Sequence, residues 1–551
     1  MYPLHYLYVV GEDERLNKLI QNSKVIELGR KGGRKVYQLK TEETTLDSSV
    51  RRWTFGKRNE SKKNRIILLV GKTGTGKTTL INSLVNHALG VEFDDGVWFE
   101  ISECTNKSQT QSQTTAITVY EVFVEDISFS LTIIDTPGYR DTRGPLHDKL
   151  IAESLFRLFK SESGVHEVDI VGLVLEAATN RLTSTQLYIF NAVLSLFGKD
   201  IEKNIVLLIT HSDGLHPTNA LTAVKEAKIP CAKKDLHDPI FFLFNNCQCD
   251  HFQEEDTPTV KSSWDRGVEN IEKLYHFLDG KERKSMELTK GVLRERVQLE
   301  ACVHNLRQRI EWIELKEEEL KQTQDAIAKN EENLKKCENF EFEVDEPYKE
   351  LVSIESFSDY QQSIWNYFTN RATYCTTCEE NCHYPGCWMA RHPSQCEAMK
   401  GNHCTVCTGK CHFSHHRKEG KMYKTFTKKT IRTAEDLKKN FEDANVKGRI
   451  YEEVKKREEV DLEKAMVEKC RLVQEAYQSI MKLREIALEK DSVFTLVHLE
   501  FLIEKMEEMG DSEKVNTLEE MQKTNEAKQG AVNHIKALFH HYVLKKHKKQ
   551  K

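Results

Sequence analysis

Residues 66–88 read Ile66-Ile67-Leu68-Leu69-Val70-Gly71-Lys72-Thr73-Gly74-Thr75-Gly76-Lys77-Thr78-Thr79-Leu80-Ile81-Asn82-Ser83-Leu84-Val85-Asn86-His87-Ala88. The opening apolar, branched run predicts a buried strand. Leu80, Leu84, Val85 and Ala88 recur at helical spacing. Between strand and helix lies GxxxxGK[ST], in the context that a phosphate-binding loop requires. Glycines let the backbone close around an anion with its N–H groups pointing inward. Lys77 supplies charge to the β- and γ-phosphates, and the Thr78 hydroxyl is a Mg²⁺ ligand. Thr79 opens the helix, whose positive N-terminal end adds to the anion site.

Apolar strands and helical segments alternate outward from this stretch, over residues 64 to about 280. Expected strands are Ile66–Val70, Ile117–Val124, Phe129–Ile134, Ile170–Leu175, Ile205–Ile209 and Ile240–Phe244. Expected helices are Thr78–Ala88, Leu146–Phe159, Thr183–Phe197, Thr218–Ala227 and Gly267–Leu278. The alternation predicts a doubly wound, mostly parallel α/β sheet, with ligands at the carboxyl ends of its strands. Residues 1–60 read as a leader, with short strands at Tyr6–Val10 and Val36–Leu39 and a helix beginning at Leu16–Ile20.

Motifs fall at those strand ends. Asp135-Thr136-Pro137-Gly138 follows Phe129–Ile134; its carboxylate suits Mg²⁺ and the Gly138 N–H suits a γ-phosphate. The polar stretch 102–115 holds Thr114, the expected metal-contacting switch residue, with Thr115 in reserve. Thr210-His211-Ser212-Asp213 closes the strand Ile205–Ile209. A carboxylate at Asp213 can accept both the ring N–H and the exocyclic amine of guanine, a pair that adenine lacks. Asn245-Asn246 stands at the next strand end, placed for the base or ribose.

Together, Gly71–Thr78, Asp135–Gly138, Thr210–Asp213 and Phe244-Asn245-Asn246 resemble the GTPases of the septin and immunity-associated (AIG-type) branch of the P-loop fold, over residues 60–280. The resemblance is greatest to AIG/septin-type proteins with a long helical C-terminal part. It implies GTP and GDP binding with Mg²⁺, and G domains that meet across the nucleotide face. Two departures bear on activity. The base-reading Asn-Lys-x-Asp of such enzymes is here Thr-His-Ser-Asp, so Asp213 carries over and His211 takes the place of the lysine stem that covers the base. Tyr139 stands where related enzymes place a water-orienting glutamine, which implies slow or partner-stimulated hydrolysis. Arg140 and Arg143 lie close by, and Glu176 and Arg181 are placed to meet a facing protomer.

The second half has a different character. No proline lies between Pro258 and Pro347 or after Pro393, so long helices can run unbroken. Val292, Leu299, Leu306, Ile313, Leu320, Ile327 and Leu334 recur every seventh residue, as do Met466, Val473, Ile480 and Ala487. Either segment could dimerise, or the two could fold back on each other in one chain. Between them Cys375-x-x-Cys378-x-x-x-Cys382-His383 is repeated as Cys404-x-x-Cys407-x-x-x-Cys411-His412. Cys387, Cys396, His392, His403, His415 and His416 are further ligands. This spacing predicts structural zinc, because thiolate and imidazole sets of this kind close a tetrahedral ion.

The resulting division is a leader over 1–60, a G domain over 61–282, a helical coiled coil over 283–345, a zinc module over 346–425, a second coiled coil over 426–510 and a basic tail over 511–551. The 551 residues carry a net charge of −5, which gives no field for nucleic acid. No apolar run reaches the ~18 residues of a membrane span, and no signal peptide is expected. Eight of the fifteen cysteines fall between Cys375 and Cys411, which favours metal binding in a reducing, cytoplasmic setting. A membrane contact through the basic tail is possible but not indicated. The leading reading is a slow GTPase whose G domain controls homodimerisation while the helical arm meets a protein partner. The competing reading is a scaffold with a constitutively bound guanine nucleotide and a zinc-stabilised coiled coil.

Overall fold

In the computed structural model, the described residues are 12–27, 34–47, 50–102, 117–124, 129–137, 145–182, 186, 190, 193–234, 238–246, 254–329, 340–354, 371–384, 390–433, 436, 450–488 and 493–523. They fall into two compact units, one of residues up to 293 with 486–497 and 522–523, the other of 294–485 with 498–521.

The first unit runs α1 (Glu12–Gln21), β1 (Ser23–Glu27), β2 (Lys35–Leu39), β3 (Glu42–Asp47), β4 (Val50–Phe55), β5 (Lys63–Gly71), α2 (Lys77–Ala88), β6 (Val97–Glu100), β7 (Ile117–Val122), β8 (Phe129–Asp135), α3 (Pro145–Lys160), β9 (Glu167–Val168), β10 (Ile170–Glu176), β11 (Ile205–Thr210), α4 (Thr218–Glu226), β12 (Phe241–Leu243), α5 (Thr257–Asp279) and β13 (Lys284–Ser285). Its main sheet has eight strands in the order β12-β11-β10-β5-β8-β7-β4-β3. Pairing is parallel from β12 through β8, antiparallel between β8 and β7, parallel between β7 and β4, and antiparallel between β4 and β3. The central strands are buried on both faces, which is why they read as continuous apolar runs: Ile67 through Val70 and Ile205 through Ile209 are all fully buried.

Residues ahead of position 61 are part of this architecture. β3 and β4 extend the main sheet, and β1, β2 and β6 form a second, three-stranded one. Val50, Trp53 and Phe55 are buried and Trp53 meets Tyr120 edge to face. The strand expected at Tyr6–Val10 and most of the helix expected at Thr183–Phe197 lie outside the described residues.

Asp169, next to β10, is almost wholly buried. Its carboxylate accepts the Ile66 N–H at 2.7 Å and the Arg283 Nε at 3.1 Å. Arg65 packs its guanidinium over Phe129 and Tyr275 and pairs with Asp279 at 2.8 Å.

Most of the second unit comes from α6 (Glu287–Lys329, from Arg294 onward), β14 (Glu341–Ser353), β15 (Ala372–Cys375), β16 (Glu380–His383), β17 (Met399–Lys400), β18 (His403–Cys404), β19 (His416–Glu419), β20 (Lys421–Thr433), α7 (Ile450–Ile486, up to Glu485), α8 (Val493–Glu508, from His498) and α9 (Ser512–Lys523, up to Met521). Helices α6 and α7 run antiparallel. Glu295 pairs with Lys482 near one end, and Arg309 with Glu468 at 2.6 Å farther along. Leu299, Val303, Leu306 and Ile310 of α6 are buried, as are Val473, Ala476, Ile480 and Leu483 of α7. The two seven-residue stripes therefore serve an intrachain pair over this stretch, while Met466 stays half exposed. Helix α8 adds Lys505 to Glu314 and Phe501 beneath Arg307.

One element departs from the expected helical organisation. β14 and β20 pair antiparallel over thirteen residues, from Glu341↔Thr433 to Ser353↔Lys421. Strand thus replaces coil in part of both 283–345 and 426–510, and a β-ribbon flanks the Cys/His segment. Alternation of charged with aromatic or β-branched residues on a ribbon open to water explains why no apolar run marked it.

Candidate functional site

The loop after β5 closes tightly because Gly74 and Gly76 take left-handed backbone conformations, φ 87° and 78°, which side chains disfavour. Thr75 Oγ1 donates to the Lys72 carbonyl at 2.9 Å, closing the turn from within. The buried Lys77 ammonium donates to the carbonyls of Gly71 at 3.0 Å and Lys72 at 3.1 Å. Burial pulls its pKa down, opposed by the negative charge of Asp135. That holds a cation inside the turn of the loop, where a polyphosphate needs one.

Register brings the next motif beside it. Asp135 lies opposite Leu69 across the β5–β8 pair, and Thr136 Oγ1 donates to the Leu69 carbonyl at 2.9 Å. Thr78 and Asp135 offer hard oxygen donors of the kind Mg²⁺ takes. Gly138, Thr114 and Thr115, together with Tyr139, Arg140 and Arg143, lie outside the described residues.

The base-side residues meet the loop through β11. Thr210 Oγ1 donates to the Thr75 carbonyl at 2.8 Å and the Thr210 methyl faces Gly76. His211, itself left-handed at φ 51°, has its ring beside Gly76. The Ser212 N–H donates to the Phe244 carbonyl at 3.1 Å, which holds the Asp213 turn against the end of β12. Asp213 is exposed; its Oδ1 caps the Leu215 N–H at 2.9 Å and its carbonyl accepts Arg266 Nη1 at 2.9 Å. Asn246 Oδ1 accepts from Ser83 of α2 at 3.1 Å, so the Asn245-Asn246 corner is tied to the helix that follows the loop. Ser83 and Arg266 are contributors that motif reading passed over, and Thr210, quoted within its motif, was given no role of its own there. Glu176 ends β10 opposite Thr210, and it and Arg181 are exposed.

A loop of this form between a central parallel strand and α2, with a carboxylate at the neighbouring strand end, defines a P-loop nucleotide-binding domain of the GTPase type. The AIG1 family model matches residues 65–257, so that stretch is an AIG1-family G domain. Similar curated proteins include the translocase of chloroplast 34 homologue of Chlamydomonas reinhardtii, 26% identical over 190 residues, 34% of this chain and 44% of that protein. Immune-associated nucleotide-binding protein 7 of Arabidopsis thaliana is 27% identical over 160 residues, 29% of this chain and 45% of that protein. The chain spans about half the length of these relatives. Among solved structures, Toc33 of Arabidopsis thaliana with Mg²⁺ and GMPPNP is 16% identical, covering 38% of this chain and 87% of that one with a TM-score of 0.24.

The Cys/His segment forms a second site in the other unit. Two groups of donors converge: Cys375, Cys378, Cys407 and Cys411; and Cys382, Cys404, Cys407 and His416. Within each group all donor atoms lie within 4.8 Å of one another. Cys378 Sγ stands 3.6 Å from Cys411 Sγ, and Cys407 Sγ 3.8 Å from His416 Nε2. Ligands ~2.3 Å from one tetrahedral zinc would be about 3.8 Å apart, so these separations fit the ion. Cys404 is held down to about 2, first by the hydrogen bond from Cys382, and Cys407 to about 4, first by that from Cys375. Burial alone would lower His416, but Cys375, Cys404 and Cys407 outweigh it and hold the ring up at about 12.

His416 takes the place that the C-H repeat assigns to His412. The His412 ring instead bonds Ser414 Oγ at 2.9 Å and meets the His403 ring. The sequence repeat is local, whereas β19 pairs with β15 at His416↔Cys375 and delivers His416 to the sulfurs. His383 Nδ1 and Cys396 Sγ form a pair of their own at 3.3 Å. Cys387 lies outside the described residues.

Proposed function

We propose that this chain is a guanine-nucleotide switch, which binds GTP and GDP with Mg²⁺, hydrolyses GTP slowly or under partner stimulation, and pairs with a second copy through its G domain. In this reading Lys77 neutralises the β- and γ-phosphates and the loop amides of Gly71 to Thr79 hold them. Thr78 and Asp135, with Thr114, hold the metal, which would supply charge to the phosphates. Gly138 senses the terminal phosphate. Asp213 reads the base, His211 lies over the loop beside it, and Asn245 and Asn246 flank it. The helical unit engages a protein partner, and zinc holds the Cys/His module rigid. The cytoplasm is the setting that reduced thiols favour.

The observation that carries this reading is the Thr210–Thr75 hydrogen bond, which fixes the base-reading turn to the phosphate loop in one piece. The test is calorimetry with GDP, GTP, ATP and xanthosine nucleotides in Mg²⁺. Guanine nucleotide should bind, Lys77→Ala should abolish binding, and Asp213→Asn should move preference toward xanthosine. An unshifted Asp213→Asn variant overturns the base assignment. Dimerisation is tested by mass measurement with GDP and with a non-hydrolysable GTP analogue; equal masses would remove nucleotide control from the account.

A further inference from the structure

We propose that the Cys/His cluster binds a pair of zinc-class divalent ions bridged by the Cys407 thiolate. The inference rests on the zinc reading above and goes beyond it, since the repeated motif by itself suggests two separate four-ligand sites.

Donor count carries the argument. Two closed tetrahedral ions need eight bonds. Among the described residues the converging donors are seven, and Cys407 alone belongs to both groups. Cys375, Cys378 and Cys411 complete one ion; Cys382, Cys404 and His416 complete the other. His416 cannot be the shared donor, because an imidazole nitrogen offers one lone pair. A thiolate has three, enough for two metals and one N–H. Cys407 Sγ also accepts an N–H, from Cys411 at 3.4 Å. His383 and Cys396 stand outside both groups.

The surroundings are built for a dense sulfur centre. Cys375, Cys382, Cys404, Cys407 and His416 are essentially buried. Backbone N–H groups of Cys378, Val406, Cys407 and Gly409 donate to Cys375, Cys404, Cys404 and Cys378 at 3.3–3.4 Å, which disperses thiolate charge. Gly409 is required for clearance: a Cβ there would stand 2.9 Å from Cys411 Sγ and 3.3 Å from Cys378 Sγ.

The experiment uses the full chain. Native mass spectrometry counts zinc, and then metal-free protein is titrated with Co²⁺ while thiolate-to-cobalt absorption and electron spin resonance are recorded. The bridge predicts absorption that keeps rising to two equivalents while spin intensity per cobalt falls, because a shared sulfur couples the two ions antiferromagnetically. Cys407→Ser should restore full spin intensity per bound cobalt, whereas Cys470→Ser, on α7 and outside both groups, should leave the coupling intact. Spin intensity that tracks bound cobalt throughout the wild-type titration overturns the bridge and leaves isolated metal sites. A chain that binds neither zinc nor cobalt overturns the zinc reading itself.

Discussion

Thr210 Oγ1 lies 2.8 Å from the carbonyl oxygen of Thr75, joining the end of one strand to the interior of a loop 135 residues away in sequence. Both residues are buried, so neither group can turn to water instead. Replacing Thr210 with valine keeps the shape and strands the Thr75 carbonyl. An unsatisfied buried acceptor costs about 1–3 kcal/mol. Guanine-nucleotide affinity of Thr210→Val should therefore fall roughly tenfold or more, as read by calorimetry, while Thr210→Ser retains most of it. Equal affinity for all three proteins would separate the loop from the base-side turn.

Asp169 gives a stability prediction far from the nucleotide. It satisfies the Ile66 N–H and Arg283 from a position 1% exposed. Asp169→Ala strands the buried Ile66 N–H and takes the partner from the partly exposed Arg283; an unsatisfied buried donor costs about 1–3 kcal/mol. The denaturation midpoint of the first unit should drop substantially, and Asp169→Asn should recover part of the loss by keeping the Ile66 hydrogen bond.

His87 makes the same unit acid-sensitive. Burial, and then the Arg65 charge, lower its pKa to about 4 from an ordinary value of 6.5. Above 6.5 the ring is neutral in both folded and unfolded chains, so it contributes nothing to pH dependence. Between 6.5 and about 4 the unfolded chain binds a proton that the folded chain refuses, so stability falls as pH falls. Thermal unfolding of wild type against His87→Leu should converge in slope above pH 6.5. Below it, the wild type should lose stability faster. Parallel curves from pH 7 to pH 4 would contradict this.

Glu468 predicts a loss at lower pH in the other unit. Its carboxyl is held near 2, first by the hydrogen bond from Arg471 and, against burial, by Arg309. Stability from these contacts is present above the ordinary carboxyl range near 4.5 and is lost as pH falls through about 2. Helical circular dichroism of Glu468→Gln should show a shallower acid transition than wild type over that window.

The sequence was legible where one physical signal dominated. Ile66–Val70 and Ile205–Ile209 announced themselves because strands covered on both faces cannot carry polar residues. The loop was legible because closing a backbone around phosphate demands glycine at fixed spacing, and the AIG-type resemblance of the flanking motifs is matched by the family model over residues 65–257. Strand β4 was not: Val50-Arg51-Arg52-Trp53-Thr54-Phe55 places one arginine on each face and breaks the apolar alternation, and Arg52 meets Glu121 at 3.5 Å. The ribbon was missed because the two proline-poor flanks suggested helix, although Tyr348, Phe426 and Ile431 carried a strand signal. His416 was one ligand among several in sequence; only pairing of β15 with β19 sets it above His412.

The ribbon has a topological consequence. Ser353 and Lys421 are its last register partners, so the chain leaves for the cysteine segment and comes home at adjacent points on a single ladder. What lies between those two residues is nonetheless moored to the helices: Asn305 donates to Glu380 and to the Asn381 carbonyl, Gln298 donates to the Glu397 carbonyl, and Lys410 pairs with Glu475. Splicing Ser353 to Lys421 through a tight turn would keep every rung of that ladder but would strip the buried Asn305 of both its acceptors.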